Sequence, residues 1–196
     1  MTRLYLVRHG ETQWNVEGRM QGWKDSPLTE QGINQVLILR RKIRDVSFSE
    51  VYSSTSNRAL KTAEILLDGR GVSITKEKDL REVYLGEWEG KRFEVLDRES
   101  PEDFKGFWEI PQGCVPRGGE SMEELMERGT GVISKIIKKH PDENVLLVSH
   151  YCILKTIIIH LQDRLLKDLW ELPDLEPASL TVYDTNKGCI IQDQIR

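Results

Sequence analysis

Residues 3–12 read RLYLVRHGET. The first part of this stretch, Arg3–Val7, is a short apolar run of the kind that forms a buried β-strand. It passes directly into Arg8, His9 and Gly10, so that a cation, an imidazole and a glycine follow the strand without an intervening turn. In an open α/β sheet, ligands bind beyond the carboxyl ends of the strands. We therefore expect chemistry at this junction.

Outward from this stretch, the chain alternates apolar runs with segments of helical periodicity. Further strands are predicted over Glu50–Ser53, Asn144–Ser149, Ser179–Tyr183 and Cys189–Gln192. Helices are predicted over Thr29–Arg44, Asn57–Leu67 with Ser56 as N-cap, Ser121–Lys139 and Cys152–Leu161. This alternation indicates an α/β fold, a three-layer sandwich with a mainly parallel central sheet flanked by helices.

Residues 90–119 interrupt the alternation. They are rich in Glu, Lys, Pro and Trp and lack a long apolar period. We expect short helices there that form a small cap or lid beside the sheet. The length of 196 residues suits a single domain, 1–196, that includes this cap.

Composition excludes several broad classes of protein. The 28 Lys and Arg residues against 32 Asp and Glu give a net charge of -4, which argues against a general nucleic-acid binder. No apolar run reaches the ~20 residues that span a bilayer, and the first residues turn polar too early for a secretory signal. Cysteines at 114, 152 and 189 form no Cys-x-x-Cys pair. We expect reduced thiols in a cytoplasmic protein.

Two further strand ends also carry a cation or an imidazole. Arg58 follows the second predicted strand, and His150 ends the most apolar one. Taken alone, Arg58 suits a surface ion pair with Glu64 or Asp68, and His150 suits a buried core residue. Together with the junction after the first strand, they place three such groups at one edge of the sheet. Convergence on an anionic ligand explains this better than coincidence.

An acidic segment, residues 80–90, supplies a candidate carboxylate. Gly86 and Gly90 indicate irregular backbone, where positioned acids and bases are often found. A carboxylate such as Glu82 beside a bound phosphate is pushed towards its protonated form, which suits a general acid. The simpler interpretation, a solvated side chain, is the one we adopt for Glu87, and it stays open for Glu82 and Glu89.

Six motifs in order resemble the histidine phosphatase superfamily, the phosphoglycerate-mutase-like proteins. The resemblance runs nearly end to end and rests on Leu6–Thr12 with Trp14-Asn15, Gln21–Trp23 through Asp25, Pro27–Thr29 and Gly32, Ser53-Ser54 with Arg58-Ala59 and Thr62-Ala63, Glu82 with Gly86 and Trp88–Gly90, Gly118–Ser121, and Val148–His150.

The resemblance implies a role for each candidate site residue. His9 matches the nucleophile that becomes a phosphohistidine, and Glu82 matches the proton donor to the leaving oxygen. The positions that match the family's phosphate-binding residues are Arg8, Asn15, Arg58 and His150. Two arginines and a histidine that could be protonated can neutralise a phosphoryl group without a metal.

Substrate choice is assigned less directly. We expect residues 90–119, Gln21, Tyr84 and Tyr151 to shape the substrate end of the site. The family often has Gly after its second histidine, whereas this chain has Tyr151 followed by Cys152. The backbone N–H survives this change, while the ring narrows the pocket or stacks on the substrate.

The leading functional hypothesis is a metal-independent phosphomonoesterase that hydrolyses a small phosphorylated metabolite through a phosphohistidine intermediate. A bisphosphoglycerate-dependent phosphoglycerate mutase is the main alternative, and a catalytically silent phospho-ligand binding module is the second. No cofactor is predicted, and no metal, because the histidines lack paired ligand spacing. The expected partner is a small phosphorylated metabolite or inorganic phosphate, with no nucleic acid or membrane, and a homodimer stays open. Sugar phosphates, phosphoserine, phosphoglycerate and ribazole phosphate are not separated as substrates.

Overall fold

A six-stranded mixed sheet forms the centre of the molecule. The computed structural model describes the backbone of residues 2–195 and the side chains of residues 2–191. The strands are β1 (Arg3–Arg8), β2 (Glu50–Ser54), β3 (Ile74–Glu77), β4 (Asn144–Ser149), β5 (Leu180–Asp184) and β6 (Cys189–Ile195). Their order across the sheet is β3-β2-β4-β1-β5-β6.

Strand direction places the predicted site residues at one edge of the sheet. Four adjacent strands, in the order β3, β2, β4 and β1, all run parallel to one another. β5 is antiparallel to β1, and β6 is antiparallel to β5. The mainly parallel sheet is thus confirmed, and the last two predicted strands form its antiparallel edge. The carboxyl ends of β1, β2 and β4 consequently meet at the same edge.

Helices cover both faces of the sheet. They are α1 (Gln13–Val16), α2 (Glu30–Lys42), α3 (Asn57–Leu67), α4 (Phe93–Glu99), α5 (Pro101–Glu109), α6 (Met122–Lys139) and α7 (Tyr151–Leu161). Side chains alternate along β1, so that Leu4 and Leu6 pack with α6 and α7, whereas Tyr5 and Val7 pack with α2 and α3. This gives the predicted three layers. Within residues 2–195, no helix is long and apolar enough to cross a membrane.

The segment predicted as a cap contains α4 and α5. An aromatic cluster joins it to the body of the molecule. Phe107, buried on α5, lies 5.6 Å from Trp88 and 4.9 Å from Trp108 between ring centroids. Trp108 in turn lies 5.6 Å from Trp170, which belongs to a short 3-10 helix after α7. Aromatic packing therefore holds these short helices where a long apolar period is missing.

Three local predictions need correction. β3 was not predicted, because Ile74 is the one apolar residue of this edge strand. α7 begins at Tyr151 rather than Cys152, with His150 as its N-cap. Ser56 occupies the N-cap position of α3, but its side chain makes no capping hydrogen bond.

Gly10 and Gly32 bring the loop after β1 against α2. A Cβ atom on Gly10 would lie 2.8 Å from the Gly32 carbonyl oxygen, and one on Gly32 would lie 2.1 Å from the Glu11 carbonyl oxygen. Both distances are too short for any other residue. Glycine at both positions therefore allows the loop after β1 to pack directly on α2.

Candidate active site

His9 stands at the carboxyl end of β1, with 3% of its surface exposed. Its Nδ1 lies 2.8 Å from the Gly10 carbonyl oxygen. A carbonyl only accepts, so Nδ1 carries the proton and donates it. In the neutral ring, Nε2 then holds a lone pair, and Arg58 Nε donates to it at 3.2 Å. The structure thus supplies the backbone partner that the predicted nucleophile requires and leaves Nε2 as the unprotonated ring nitrogen.

The surroundings of His9 keep its ring neutral. Burial lowers the pKa of His9 well below its ordinary value, and the positive charges of Arg58 and Arg8 lower it further. A neutral imidazole is the form that can attack phosphorus. The two arginines therefore have two effects: they keep the predicted nucleophile neutral, and they supply positive charge for a bound anion.

Arg58 is buried in the first turn of α3, with 2% exposure. Its guanidinium donates to the Gly22 carbonyl at 2.8 Å, to the Lys24 carbonyl at 2.7 Å and to Asp25 Oδ1 at 3.1 Å. Burial lowers the pKa of Arg58 and Asp25 opposes this shift, but a guanidinium stays charged in either case. The alternative of a surface ion pair is wrong, because the predicted partners pair with Lys61 and Arg40 instead.

Asp25 belongs to the second of the six motifs, where no role is predicted for it from the sequence, and in the structure it holds Arg58. Its carboxylate accepts from Arg58 Nη1 and from the backbone N–H groups of Asn57 and Arg58. It thus does at the start of α3 what Ser56 was predicted to do, and it also offsets the cation at the positive end of the helix dipole. Its place in the motif that runs from Gln21 to Gly32 was the available signal.

Asp25→Asn removes the charge and keeps one acceptor oxygen for Arg58, while the N–H of Asn57, at an exposed position, can bond to water instead. We expect kcat/KM for an aryl phosphate to fall about tenfold, since Arg58 loses its ionic partner. The melting temperature should change by less than about 2 °C. Asp68→Asn, at an exposed acid paired with Arg40, is the matched control. A kcat/KM for Asp25→Asn equal to that of this control would remove the positioning role.

His150 follows β4 and is fully buried beside His9, with their ring centroids 5.2 Å apart. Its Nε2 lies 2.7 Å from Ser54 Oγ and 2.9 Å from Ser56 Oγ, while its Nδ1 has no partner within the described side chains. Burial lowers the pKa of His150 well below normal, followed by the charge of Arg58. The ring is therefore neutral in the free protein, whereas the sequence leaves its protonation state open. A neutral ring with its proton on Nδ1 can still donate to a phosphoryl oxygen.

Arg8 closes the other side of the site. Its Nη1 donates to the Leu175 carbonyl at 2.5 Å, and its guanidinium lies 5.1 Å from the ring centroid of Tyr151. The Nε atom of Arg8 has no partner in the described part of the chain. Arg8 therefore retains a donor for a bound anion.

Glu82 lies on irregular backbone, as predicted, and faces the start of α7. Its Oε1 accepts from the backbone N–H groups of Val83 at 2.9 Å and Ile153 at 3.2 Å, and its Oε2 accepts from that of Cys152 at 3.1 Å. Arg128 fixes the backbone by donating to the Glu82 carbonyl at 2.8 Å. The helix N-terminus and Arg128 hold this carboxyl group in one place, and no sequence motif indicated Arg128.

These groups line one cavity of about 310 Å³. It brings together seven of the eight predicted site residues, namely Arg8, His9, Asn15, Gln21, Arg58, Glu82 and Tyr151, with His150 behind His9. The amide oxygen of Asn15 accepts from Thr12 N at 3.0 Å, and the amide nitrogen of Gln21 donates to Thr12 Oγ1 at 2.9 Å. Both amides thus brace the loop after β1. Tyr151 donates from its hydroxyl to Asp174 at 2.5 Å.

Glu87 and Glu89 differ in their surroundings. Glu87 is largely exposed, as expected, with an ion-pair distance of 3.9 Å to Arg117. Glu89 is bound to the loop beside the site, where its Oε1 accepts from Trp23 N at 2.6 Å. Among the side chains described, no group of three or more His, Cys, Asp or Glu residues could hold a metal ion.

Comparison with known proteins places this arrangement in a family. The family model for the histidine phosphatase superfamily (branch 1) matches residues 4–194. An adenosylcobalamin/alpha-ribazole phosphatase of Salmonella typhimurium is 36% identical over 86% of this chain and 83% of its own. A probable phosphoglycerate mutase GpmB of Cronobacter sakazakii is 36% identical over 81% of this chain and 75% of its own. The solved structure of Bacillus stearothermophilus YhfR superposes with a TM-score of 0.92 at 40% identity, covering 97% of this chain and 94% of that one.

Proposed function

This chain belongs to the histidine phosphatase superfamily, and from that premise we propose that it is a phosphomonoesterase acting on a small phosphorylated metabolite without a metal. The observation that carries the proposal is the state of His9. Its Nδ1 is committed to the Gly10 carbonyl, and its Nε2 faces Arg58. The 36% identical relative that is named a phosphatase supports the same conclusion.

The proposed reaction has two steps. His9 Nε2 attacks phosphorus, the ester P–O bond breaks, and Glu82 gives its proton to the departing oxygen. Glu82 then takes a proton from water, whose oxygen attacks phosphorus, and the P–N bond breaks to release phosphate and restore His9. Arg8 and Arg58 neutralise the phosphoryl oxygens throughout, and His150 donates from Nδ1.

The mutase is the second candidate, because several relatives are named probable phosphoglycerate mutases. A mutase must hold a bisphosphate while the substrate turns over, which calls for basic residues beyond Arg8 and Arg58. The predicted cap has more acids than bases. A silent binding module is less well supported, because both a nucleophile and an acid line the cavity. A cytoplasmic location is also proposed, supported by free thiols at Cys114, Cys152 and Cys189.

Hydrolysis of p-nitrophenyl phosphate in excess EDTA tests the proposal. We expect the rate to match that without chelator, because Arg8, Arg58 and His150 supply the charge and donors that a metal otherwise would. A rate that falls with EDTA and returns with added Mg²⁺ or Zn²⁺ would contradict the metal-free mechanism. Phosphoglycerate isomerisation that depends on added bisphosphoglycerate, without net phosphate release, would favour the mutase.

Glu82→Gln tests the general acid. We expect kcat/KM for an alkyl phosphate to fall by about 10²–10³, because its leaving oxygen needs a proton. The value for p-nitrophenyl phosphate should fall much less, since nitrophenolate leaves without one. Glu87→Gln, a change at an exposed acid, should alter neither value. Equal losses on both substrates would remove the role of Glu82 as proton donor to the leaving group.

A further inference from the structure

The cavity has a set of lining residues that the proposed reaction does not use. Beyond the groups that face the phosphoryl oxygens, its wall includes Arg19, Trp108, Tyr151, Asp174 and Glu176. A substrate whose phosphoryl group lies at His9 must place its leaving group among them. We infer that these residues select uncharged leaving groups and reject leaving groups that bear a negative charge. This inference rests on the proposed phosphatase function and names its substrate class.

No arginine of the cavity is left over for a second negative charge on the substrate, among the residues that the structure describes. In the described part of the chain the lining of the cavity contains three arginines, of which Arg8 and Arg58 serve the phosphoryl group. The third, Arg19, has its Nε 2.5 Å from Glu17 Oε2 and donates from Nη1 to the Gly90 carbonyl at 2.8 Å. A carboxylate or second phosphate on the leaving group would have to compete with Glu17 for this charge.

Lys155 lies near the cavity but is screened from it. Its side chain is 1% exposed, and it is not among the lining residues. The ammonium group sits 4.8 Å from the ring centroid of Tyr151 and 5.3 Å from that of Trp170, and it lies 3.6 Å from Asp174 Oδ1. Tyr151 and Asp174 therefore stand between this charge and a ligand, so that the carboxylate faces the cavity and the ammonium group does not.

Two carboxylates at the leaving-group end add negative potential. The Asp174 side chain is 79% exposed while it lines the cavity. Glu176 lies close enough to Arg8 to act on it electrostatically. An anionic leaving group would approach both of them at the open end of the cavity, where like charges repel most at low salt.

The remaining surface favours an uncharged group with an apolar face. Trp108 and Tyr151 line the cavity with ring centroids 6.4 Å apart. Aromatic faces bind flat or apolar groups through dispersion and burial. The carboxylates beside them can accept hydrogen bonds from hydroxyl groups. An aryl or polyhydroxylated neutral leaving group satisfies both features.

A matched pair of substrates tests the inference directly. Phenyl phosphate and 4-carboxyphenyl phosphate differ by one carboxylate, and that carboxylate makes the phenolate a slightly better leaving group. Chemistry alone would thus favour the carboxylated ester. We expect the opposite, a kcat/KM about tenfold lower for 4-carboxyphenyl phosphate at pH 7.5 and low salt, with the difference shrinking as salt screens the repulsion. Equal values, or a preference for the carboxylated ester, would overturn the inference and leave the phosphatase function intact.

Variants identify the source of the discrimination. Asp174→Asn keeps an acceptor for the Tyr151 hydroxyl and removes the charge, so the tenfold ratio should fall to about twofold or invert. Asp45→Asn, at an 87% exposed acid after α2, should leave the ratio unchanged. If Asp174→Asn does not fold because Lys155 loses its counter-charge, Glu176→Gln takes its place and should reduce the ratio in the same direction. An unchanged ratio in the folded variants would overturn the role of these carboxylates, whereas hydrolysis of neither ester by the wild-type protein would overturn the proposed function itself.

Discussion

His9→Ala should lower kcat for p-nitrophenyl phosphate by at least about 10⁴-fold, to the level of the uncatalysed background. The reason is that His9 Nε2 is the atom that accepts the phosphoryl group in the proposed reaction. Its neutral state is maintained by burial and by Arg58 and Arg8, which hold the pKa of His9 well below its ordinary value. Steady-state kinetics on the purified variant measure the loss.

A binding measurement shows that such a loss is chemical. Arg8, Arg58 and His150 remain in His9→Ala, so calorimetry should find inorganic phosphate bound within several-fold of the wild-type affinity. His160→Ala, at an exposed histidine on α7, is the control for removing an imidazole and should keep full activity. Steady turnover by His9→Ala well above that background would rule out a phosphohistidine at this position.

Arg58→Ala should reduce kcat/KM for the same substrate by about 10³-fold, which corresponds to several kcal/mol of transition-state stabilisation. Arg58 donates to His9 Nε2 and lies in the same cavity as Arg8 and Glu82. When substrate is bound, a phosphoryl oxygen would accept the hydrogen bond that Arg58 Nε now donates to His9 Nε2. Kinetics across several substrate concentrations should show the loss mainly in kcat, because the contact strengthens as charge develops on the phosphoryl oxygens.

Arg58 is also buried and bound to Asp25, so its removal leaves a carboxylate without its partner and can lower stability. Arg58→Lys keeps the charge but loses the planar fork, and it should lose about 10–10² in kcat/KM with less effect on folding. Arg40→Ala, at an arginine paired with Asp68 at the surface, should behave as the wild type. A loss below tenfold in Arg58→Ala would assign Arg58 a structural role only.

Much of the fold could be predicted because the central strands are continuous apolar runs. β1 and β4 are buried on both faces, so their hydrophobic runs mark them at once. β3 is an edge strand with one apolar residue, and its identity depends on pairing with β2 rather than on its own composition. The cap depends on aromatic contacts between distant segments, which no periodicity reveals.

The candidate site could be predicted to the level of which side chains meet. Arg8, His9, Arg58 and His150 follow strands whose parallel order brings their ends together. The partners of these groups could not be predicted in the same way. Asp25 reaches Arg58 across 33 positions of sequence, and Arg128 reaches the Glu82 backbone across 46. Such contacts arise only when separate loops and helices pack, and they determine the charge state and orientation of the side chains in the candidate site.

The position of β1 at the centre of the sheet has a consequence for synthesis on the ribosome. Arg3 pairs with Asn144 on one side and with Asp184 on the other. At about 5–20 residues per second, the nascent strand that precedes His9 waits roughly seven to thirty seconds before its first partner strand has been made. Throughout that interval its apolar edge is open to other chains. Chaperone demand during translation should therefore centre on the first strand.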